Sequence, residues 1–452
     1  MSTLPLIAHR RLDAVMAWRG SRPVSVRQFL GDVNRLAGLL PPGRHVLNLC
    51  GDRYRFAVAL MASIVSGRVS LLPSSQTPES LRQMQRFAPD VFCVTDRDDG
   101  GDGLPVLRYP ESLPEALADP VIPQIDSDQV VARIFTSGST GMPIPHLKRW
   151  GNLVRGVQAG AERLRVGPGH ALVGTVPPQH MYGLEFTVLM PLQCGAALHA
   201  GQPFYPADIC AALAELPRPR MLVTTPYHLR VLLAEASELP AVDLLLSATA
   251  PLSHNLAVAA EARLAAPLFE IYGSTETGQI ASRRTTAGAT WQTLPDIRLR
   301  GEGEAVWAEG ERFEAPTRLG DVIELVAADA RQFLLHGRHA DLVNIAGKRS
   351  SLGYLNFQLN AIPGVQDGVF LLPQEDDGDH PENVRRLIAL VVAPGLTPAA
   401  LMQALRERID PIFLPRPLLF VAALPRNATG KLPRQATQQL LASLRAQDAI
   451  PS

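Results

Sequence analysis

From residue 25 to about residue 94 the apolar positions switch between two periods. VRQFLGDVNRLAGLL places apolar side chains every three or four residues and predicts an amphipathic helix, whereas HVLNLC is a short unbroken run of strand type. FAVALMASIVSG then predicts a buried helix, VSLLP a strand, PESLRQMQRFAPD a helix and VFCVT a strand. Strands that alternate with helices pair in parallel, so this block predicts an α/β sheet covered on both faces. The polar segment Asp96 to Gly103 breaks the pattern and reads as a surface loop.

A second alternating block runs from about residue 130 to residue 271. Its predicted strands are VVARIFTS, HALVGTV, RMLVTTP, VDLLLSAT and LFEIYGS, each ending in small or polar residues. Ligands of open α/β sheets bind beyond the carboxyl ends of the strands, so these endings are the first place to look for chemistry. Residues 291 to about 335 predict short strands separated by Gly, Glu and Pro. Beyond HGRHAD the character changes again. GVFLLP, RRLIALVVAPG, PAALMQALRERID and PLLFVAALP predict a compact unit of strands and helices, with QEDDGDHPEN as a solvated acidic loop. The boundary is placed near Arg338, giving residues 1–337 and 338–452.

With 452 residues, 46% apolar and 19% charged, the chain is expected to be globular and to hold more than one core. A formal net charge of zero with scattered basic residues gives no footprint for nucleic acid. Cys50, Cys93, Cys194 and Cys210 show no metal or redox spacing and read as reduced thiols. No signal peptide is expected, and the most apolar early run, Phe56 to Val65, is too short to span a bilayer. The expected setting is the cytoplasm.

Lysine is rare: of the 43 basic residues only Lys148, Lys348 and Lys431 are lysines, and each lies in or beside a glycine-marked segment. A compact ammonium can meet one oxygen end-on where a planar guanidinium cannot, which points to particular roles for these three. RIFTSGSTGMP, just before Lys148, follows a predicted strand with a run of Ser, Thr and Gly. Thr136, Ser137, Ser139 and Thr140 supply hydroxyl donors, and Gly138 and Gly141 let backbone N–H groups turn toward an anion. The run does not match the common phosphate-loop signature.

Four further segments follow in order: IYGSTETG, TRLGD, HGRHAD and LPRNATGK. Together the five resemble the adenylate-forming superfamily of acyl-CoA synthetases, peptide-synthetase adenylation domains and luciferases, over nearly the whole chain. The resemblance implies a large adenylation region and a small, mobile α+β domain at the C-terminus, hinged at Ala340. It implies a reaction in which a carboxylate attacks the α-phosphate of ATP to give an acyl adenylate, which a thiol then converts to a thioester.

Residue by residue, the resemblance implies that the 136–141 loop holds the β- and γ-phosphates, with Tyr272 and Gly273 also facing the nucleotide. Thr275 would contact the α-phosphate, Glu276 would bind Mg²⁺, Asp321 would grip the ribose, and Arg338 would touch ribose and phosphate. Lys431 would be the catalytic lysine, bridging the carboxylate and the α-phosphate. In PPQHMYG, His180 would stand near the carboxylate and gate the thiol, with Tyr182 and Gly183 beside the acyl group. In LSATAPL, Ser247, Ala248, Thr249 and Ala250 would line the acyl pocket. Ala248 and Thr249 stand where the family often has glycines, which favours a short or flat aromatic acid. Gly347 would let a pantetheine arm pass, with Lys348 near its phosphate.

One departure and one narrower resemblance matter. Ile144 stands where the family has a loop lysine, leaving Lys148 four residues late. The run STGMPIPHLKRWGNL is similar to stand-alone ligases of aryl-polyene and xanthomonadin-type pigment pathways, which implies hydroxybenzoate-type acids and an acyl carrier protein as acceptor. Free CoA is the alternative acceptor, and a non-catalytic nucleotide-binding relative is the alternative from another class.

Overall fold

The computed structural model describes residues 2–447 except 99–100, 102, 112–119, 138–142, 304, 327–330, 339–341, 346–347, 373–385, 428–429 and 431. The side chains of Ser137, Arg338, Leu342, Asn344, Lys348, Arg349, Arg434 and residues 445–447 also lie outside the description. So do several sequence-predicted positions: Gly138, Ser139, Thr140, Gly141, Ala340, Gly347, Lys431 and the acidic loop.

Each element predicted in the first block forms. Helices Val26–Leu39, Arg53–Val65 and Pro78–Phe87 alternate with strands His45–Asn48, Val69–Leu72 and Phe92–Thr95. All three helices are capped by side chains that accept an N–H of the first turn, from Ser25, Asp52 and Thr77. The strands pair in parallel within a six-stranded sheet.

One assignment differs from the sequence reading. Val130–Ser137, which opens the second predicted block, belongs to the first sheet. It pairs in parallel with Val69–Leu72 and antiparallel with Pro143–Arg149. The Ser/Thr/Gly segment therefore joins two strands of a hairpin rather than a strand and a helix. The partner strand was missed because its two prolines and central His146 mask the period-2 pattern; it lies at the sheet edge, where proline is tolerated. Asp96 also departs from the surface-loop reading, since its carboxylate is 6% exposed and accepts the N–H groups of Gly51 and Asp52.

The second sheet has eleven described strands. At its centre Leu268–Ser274, Leu244–Ser247, Arg220–Thr224, Ala171–Gly174 and Ala197–His199 run parallel in that spatial order. Strands from 278 to 338 extend one side. The other side is completed by an N-terminal hairpin, Val15–Arg19 and Arg22–Ser25. The first sheet is thus inserted between two parts of the second.

One apolar core lies between the sheets, joining Val46, Leu72 and Val94 with Leu172, Met221 and Leu246. Arg53 crosses it. Fully buried, its guanidinium donates to the carbonyls of Gly201 (2.7 Å), Gly174 (3.0 Å) and Val176 (2.8 Å), which offsets the cost of burying the charge. A separate cluster, including Leu355, Phe370, Leu401 and Leu405, packs helices Leu352–Asn360 and Pro398–Arg406 on strands Asp367–Leu371, Ile388–Val392 and Leu418–Phe420. Among the described residues, no helix is long and apolar enough to cross a membrane.

Candidate active site

The strands Arg220–Thr224, Leu244–Ser247 and Leu268–Ser274 end at one edge of the sheet, followed by residues 225–227, 248–250 and 275–277. The last of these is a tight connection between antiparallel strands. Ser274 N–H donates to Thr277 Oγ1 at 3.1 Å, Thr277 N–H returns to Ser274 Oγ at 3.2 Å, and Gly278 takes the left-handed φ of +67°. A Cβ on Gly273 would strike the Gly278 carbonyl, so the bulged strand can close only with glycine there. Thr275 and Glu276 sit at the tip.

Glu276 is half exposed. Burial opposes its ionisation, but hydrogen bonds from its own backbone and Ser274, with the His146 and Lys148 charges, hold its carboxyl below the usual range. Among the described residues, no group of three or more His, Cys, Asp or Glu could cage a metal. A single open carboxylate fits Mg²⁺, which uses one or two carboxylates and completes its shell with water and phosphate oxygens.

A second corner of this edge is assembled by pairing. Tyr272 donates its hydroxyl to Asp321 Oδ2 at 2.6 Å, and its ring meets Trp291 and Phe333 at centroid distances of 5.8 and 5.6 Å. Asp321 is the direct cross-strand partner of Arg338. Three residues chosen from separate motifs therefore share one corner.

PPQHMYG folds against the same edge. His180, half-buried, precedes the short helix Met181–Gly183, and a Cβ on Gly183 would collide with the Pro177 carbonyl. Tyr182 donates its hydroxyl to the carbonyls of Thr224 and Leu246, both at 3.1 Å. Burial raises this phenol well above its ordinary pKa, which keeps the donor proton in place. Tyr182 is thus a strut between two strand ends.

Ser247 is fully buried, and its hydroxyl has no hydrogen-bond partner among the described residues. Thr249 has φ +78°, a left-handed conformation costly for a β-branched residue. The backbone shape a glycine would adopt is kept, and a side chain is added to it.

Sequence reasoning missed His146 and Glu185 and the contacts by which they and Lys148 support the turn. His146 Nε2 lies 2.9 Å from Thr136 Oγ1 and 3.6 Å from Glu276 Oε1, and burial, more than the Lys148 charge, lowers its pKa against the pull of Glu276. Lys148, 7% exposed, donates to the carbonyl of Thr275 and to that of Glu276 (3.2 Å). Glu185 was also overlooked; the signal was a lone acid in the apolar run GLEFTVLMPL.

The C-terminal region reaches this edge too. Arg426 pairs with Asp367 through two hydrogen bonds of 2.6 and 2.8 Å and donates to the Gly430 carbonyl at 2.8 Å. A Cβ on Gly430 would lie 3.4 Å from Tyr227 Cβ and 3.5 Å from Thr225 Oγ1. The residue before Lys431 therefore rests on the carboxyl end of strand Arg220–Thr224.

The sequence pattern of the AMP-binding enzyme family matches residues 7–300, and that of the AMP-binding enzyme C-terminal domain matches 378–431. The chain belongs to the AMP-binding enzymes. Within this family it is 32% identical over 311 residues to a 4-coumarate–CoA ligase of Rhodobacter capsulatus, covering 68% of this chain and 75% of the relative. A 3-hydroxybenzoate–CoA/4-hydroxybenzoate–CoA ligase of Thauera aromatica is 25% identical over 358 residues, 70% of this chain and 68% of the relative. ATP-bound MatB from Rhodopseudomonas palustris shares the fold, with a TM-score of 0.78 over 96% of both chains at 19% identity. The mixed α/β fold expected of an adenylate-forming enzyme is the one found.

Proposed function

We propose that this AMP-binding enzyme activates a small aromatic, hydroxybenzoate-type carboxylic acid as its acyl adenylate, with ATP as co-substrate. It then passes the acyl group to the thiol of a phosphopantetheine arm. The observation that carries this reading is convergence: the loop ending at Gly430, just before Lys431, rests on residues 225–227, at the same sheet edge as the Thr275–Glu276 tip.

In this reading Asp321 and Tyr272 seat the ribose and base, and Thr275 with the 136–141 loop hold the phosphates. Lys431 neutralises charge that builds as carboxylate meets α-phosphate, and His180 orients the acid. Bound through Glu276, Mg²⁺ would supply charge neutralisation at the phosphates. Residues 338–452 then rotate to admit the thiol, with Ala340 as hinge and Gly347 and Lys348 along the pantetheine path. Ala248 and the left-handed Thr249 shorten the acyl pocket, which supports a flat acid over a long chain.

The 4-coumarate and hydroxybenzoate ligases among the relatives support aromatic acids, and their names favour free CoA as acceptor. The segment STGMPIPHLKRWGNL supports a carrier protein. The test offers ATP, Mg²⁺ and a panel of acids, with CoA and phosphopantetheinylated carrier protein in parallel, and reads acylated thiols by mass spectrometry. Hydroxybenzoates should outperform fatty acids of more than about eight carbons; preferential loading of long chains would sink the pocket argument. Acid-dependent pyrophosphate exchange would dismiss the non-catalytic alternative.

A further inference from the structure

Lys148 and His146 stand two apart on one face of strand Pro143–Arg149, the returning strand of the Ser/Thr/Gly hairpin. From that face they reach the neighbouring sheet. His146 approaches the Glu276 carboxylate, and the Lys148 ammonium donates to the two carbonyls of the turn tip, Thr275 and Glu276. The hairpin and the turn belong to different sheets, so these side chains set the spacing between the two segments that face phosphate.

Behind the turn that Lys148 grips lies a buried polar layer. Glu185, 4% exposed, lies on a wide helical stretch, Leu184–Leu189, of the π type that often marks functional positions. It accepts the Gln279 N–H at 3.2 Å, and burial pushes its carboxyl up to about 7 against the opposing pull of Arg312 and Lys148. Arg312, 5% exposed, pairs with Asp296 at 3.1 Å.

Helix Trp150–Leu164 makes room for this layer by carrying glycine at two positions one turn apart. A Cβ on Gly156 would lie 2.8 Å from Arg312 Nη1, and one on Gly160 would run into the Gln279 side chain. The chain therefore forgoes two ordinary helix side chains to house charges whose desolvation is costly. Replacing such a buried pair by apolar groups is often neutral or stabilising, so stability alone does not explain its retention. Its position offers a reason, because Glu185 holds the N–H of Gln279, three residues beyond Glu276 on the turn that Lys148 grips.

We infer that Lys148 is a positioning residue for adenylation, fixing Thr275 and Glu276 relative to the hairpin through their backbone carbonyls, while the buried Glu185 carboxyl holds the N–H of Gln279 just beyond that turn. This rests on the proposed adenylate-forming reading. Lys148 does not touch the reacting atoms; it places the groups that do. A displacement of about 1 Å at such groups can cost on the order of 10²-fold in rate.

The test uses the full chain and compares Lys148→Met, Glu185→Gln and the double variant with wild type. Three measurements are made on each: acid-dependent ATP–pyrophosphate exchange, thioester formation from supplied acyl adenylate, and calorimetric titration with ATP and Mg²⁺. Lys148→Met should slow exchange roughly 10- to 100-fold and raise the Mg²⁺ and ATP concentrations needed by about tenfold. The KM for acid and thioester formation from adenylate should stay within about twofold. The double variant should melt at or above wild type yet remain as slow as Lys148→Met. A double variant that regains full exchange, or a Lys148→Met that impairs both half-reactions equally, overturns the assignment. If wild type itself shows no exchange, the functional reading fails, while the nucleotide titrations still decide the role of Lys148. Unchanged binding in Lys148→Met then overturns it, and binding about tenfold weaker upholds it.

Discussion

The two ends of the parallel strands in the larger sheet are built on opposite principles. At the amino end a cavity of about 510 Å³ is lined by Arg163, Arg165, His170, Asp243 and Arg284 among others, yet its charges are largely spoken for. Asp243 pairs with Arg218 at 2.6 Å, Arg284 with Glu261 at 2.8 Å, and Arg163 donates to Ser282 at 3.0 Å. At the carboxyl end lie an orphaned Ser247 hydroxyl, a threonine at positive φ, a deeply buried lysine and a buried histidine, His228, whose Nε2 also lacks a partner among the described residues. Volume marks the first end and unresolved chemistry the second. Binding sites are more often betrayed by costs left standing than by empty space.

The largest effect expected from breaking this contrast is at Lys431. Lys431→Ala should lower acid-dependent pyrophosphate exchange by about 10²–10³-fold, while thioester formation from supplied adenylate stays largely intact. Equal loss in both half-reactions would refute its assigned place.

His228 comes next, through pH. Burial pushes its pKa down to about 4, below the ordinary histidine value. Because the unfolded chain takes up the proton first, the stability present above pH 6.5 is lost as pH falls through that value toward 4. At the acid limit the loss is about 3 kcal/mol for this residue. Thermal melts from pH 7 to 4.5 should therefore fall less steeply in His228→Gln. The buried His9 and His199 and the half-buried His146 titrate the same way in both proteins and cancel.

A smaller effect is expected at Thr249. Thr249→Gly should relieve roughly 1 kcal/mol of backbone strain, seen as a raised melting temperature, and should widen the acids accepted in a ligation panel. A variant that melts lower would show that Thr249 gains more from its contacts than its conformation costs. The smallest effect belongs to the amino end: Arg165→Ala should leave both half-reactions within about twofold and stability within about 0.5 kcal/mol. Lost activity there would reverse the contrast between the two ends.

Much of this was legible in the sequence for an identifiable reason. Helices such as Val26–Leu39 and buried strands such as Phe92–Thr95 announce themselves through period and cap residues, which are local properties. The superfamily motifs were legible because backbone-limited turns, such as Gly273 to Gly278, tolerate few residue types. What was not legible depends on contacts between distant segments. Lys148 read as a displaced loop lysine, since nothing local reveals that its strand returns along Val130–Ser137 and points at carbonyls 127 residues away. Glu185 and Arg312 gave no warning of a shared layer for the same reason. That the Tyr182 hydroxyl ties two strand ends together was equally invisible in the sequence.

Arg53 and the N-terminal hairpin together bear on how the large region can come apart. The hairpin at 15–25 completes the second sheet before the first has been made, and the Arg53 guanidinium, on a helix of the first, donates to carbonyls of and beside the strands of the second. No single cut divides the chain into two pieces that each contain one whole sheet, and any piece lacking residues 174–201 leaves a guanidinium stranded in oil. Gene fragments that end between the sheets are therefore poor starting points for soluble halves. The smallest autonomous unit here is both sheets at once, so an ancestral or engineered splice must exchange them as a pair.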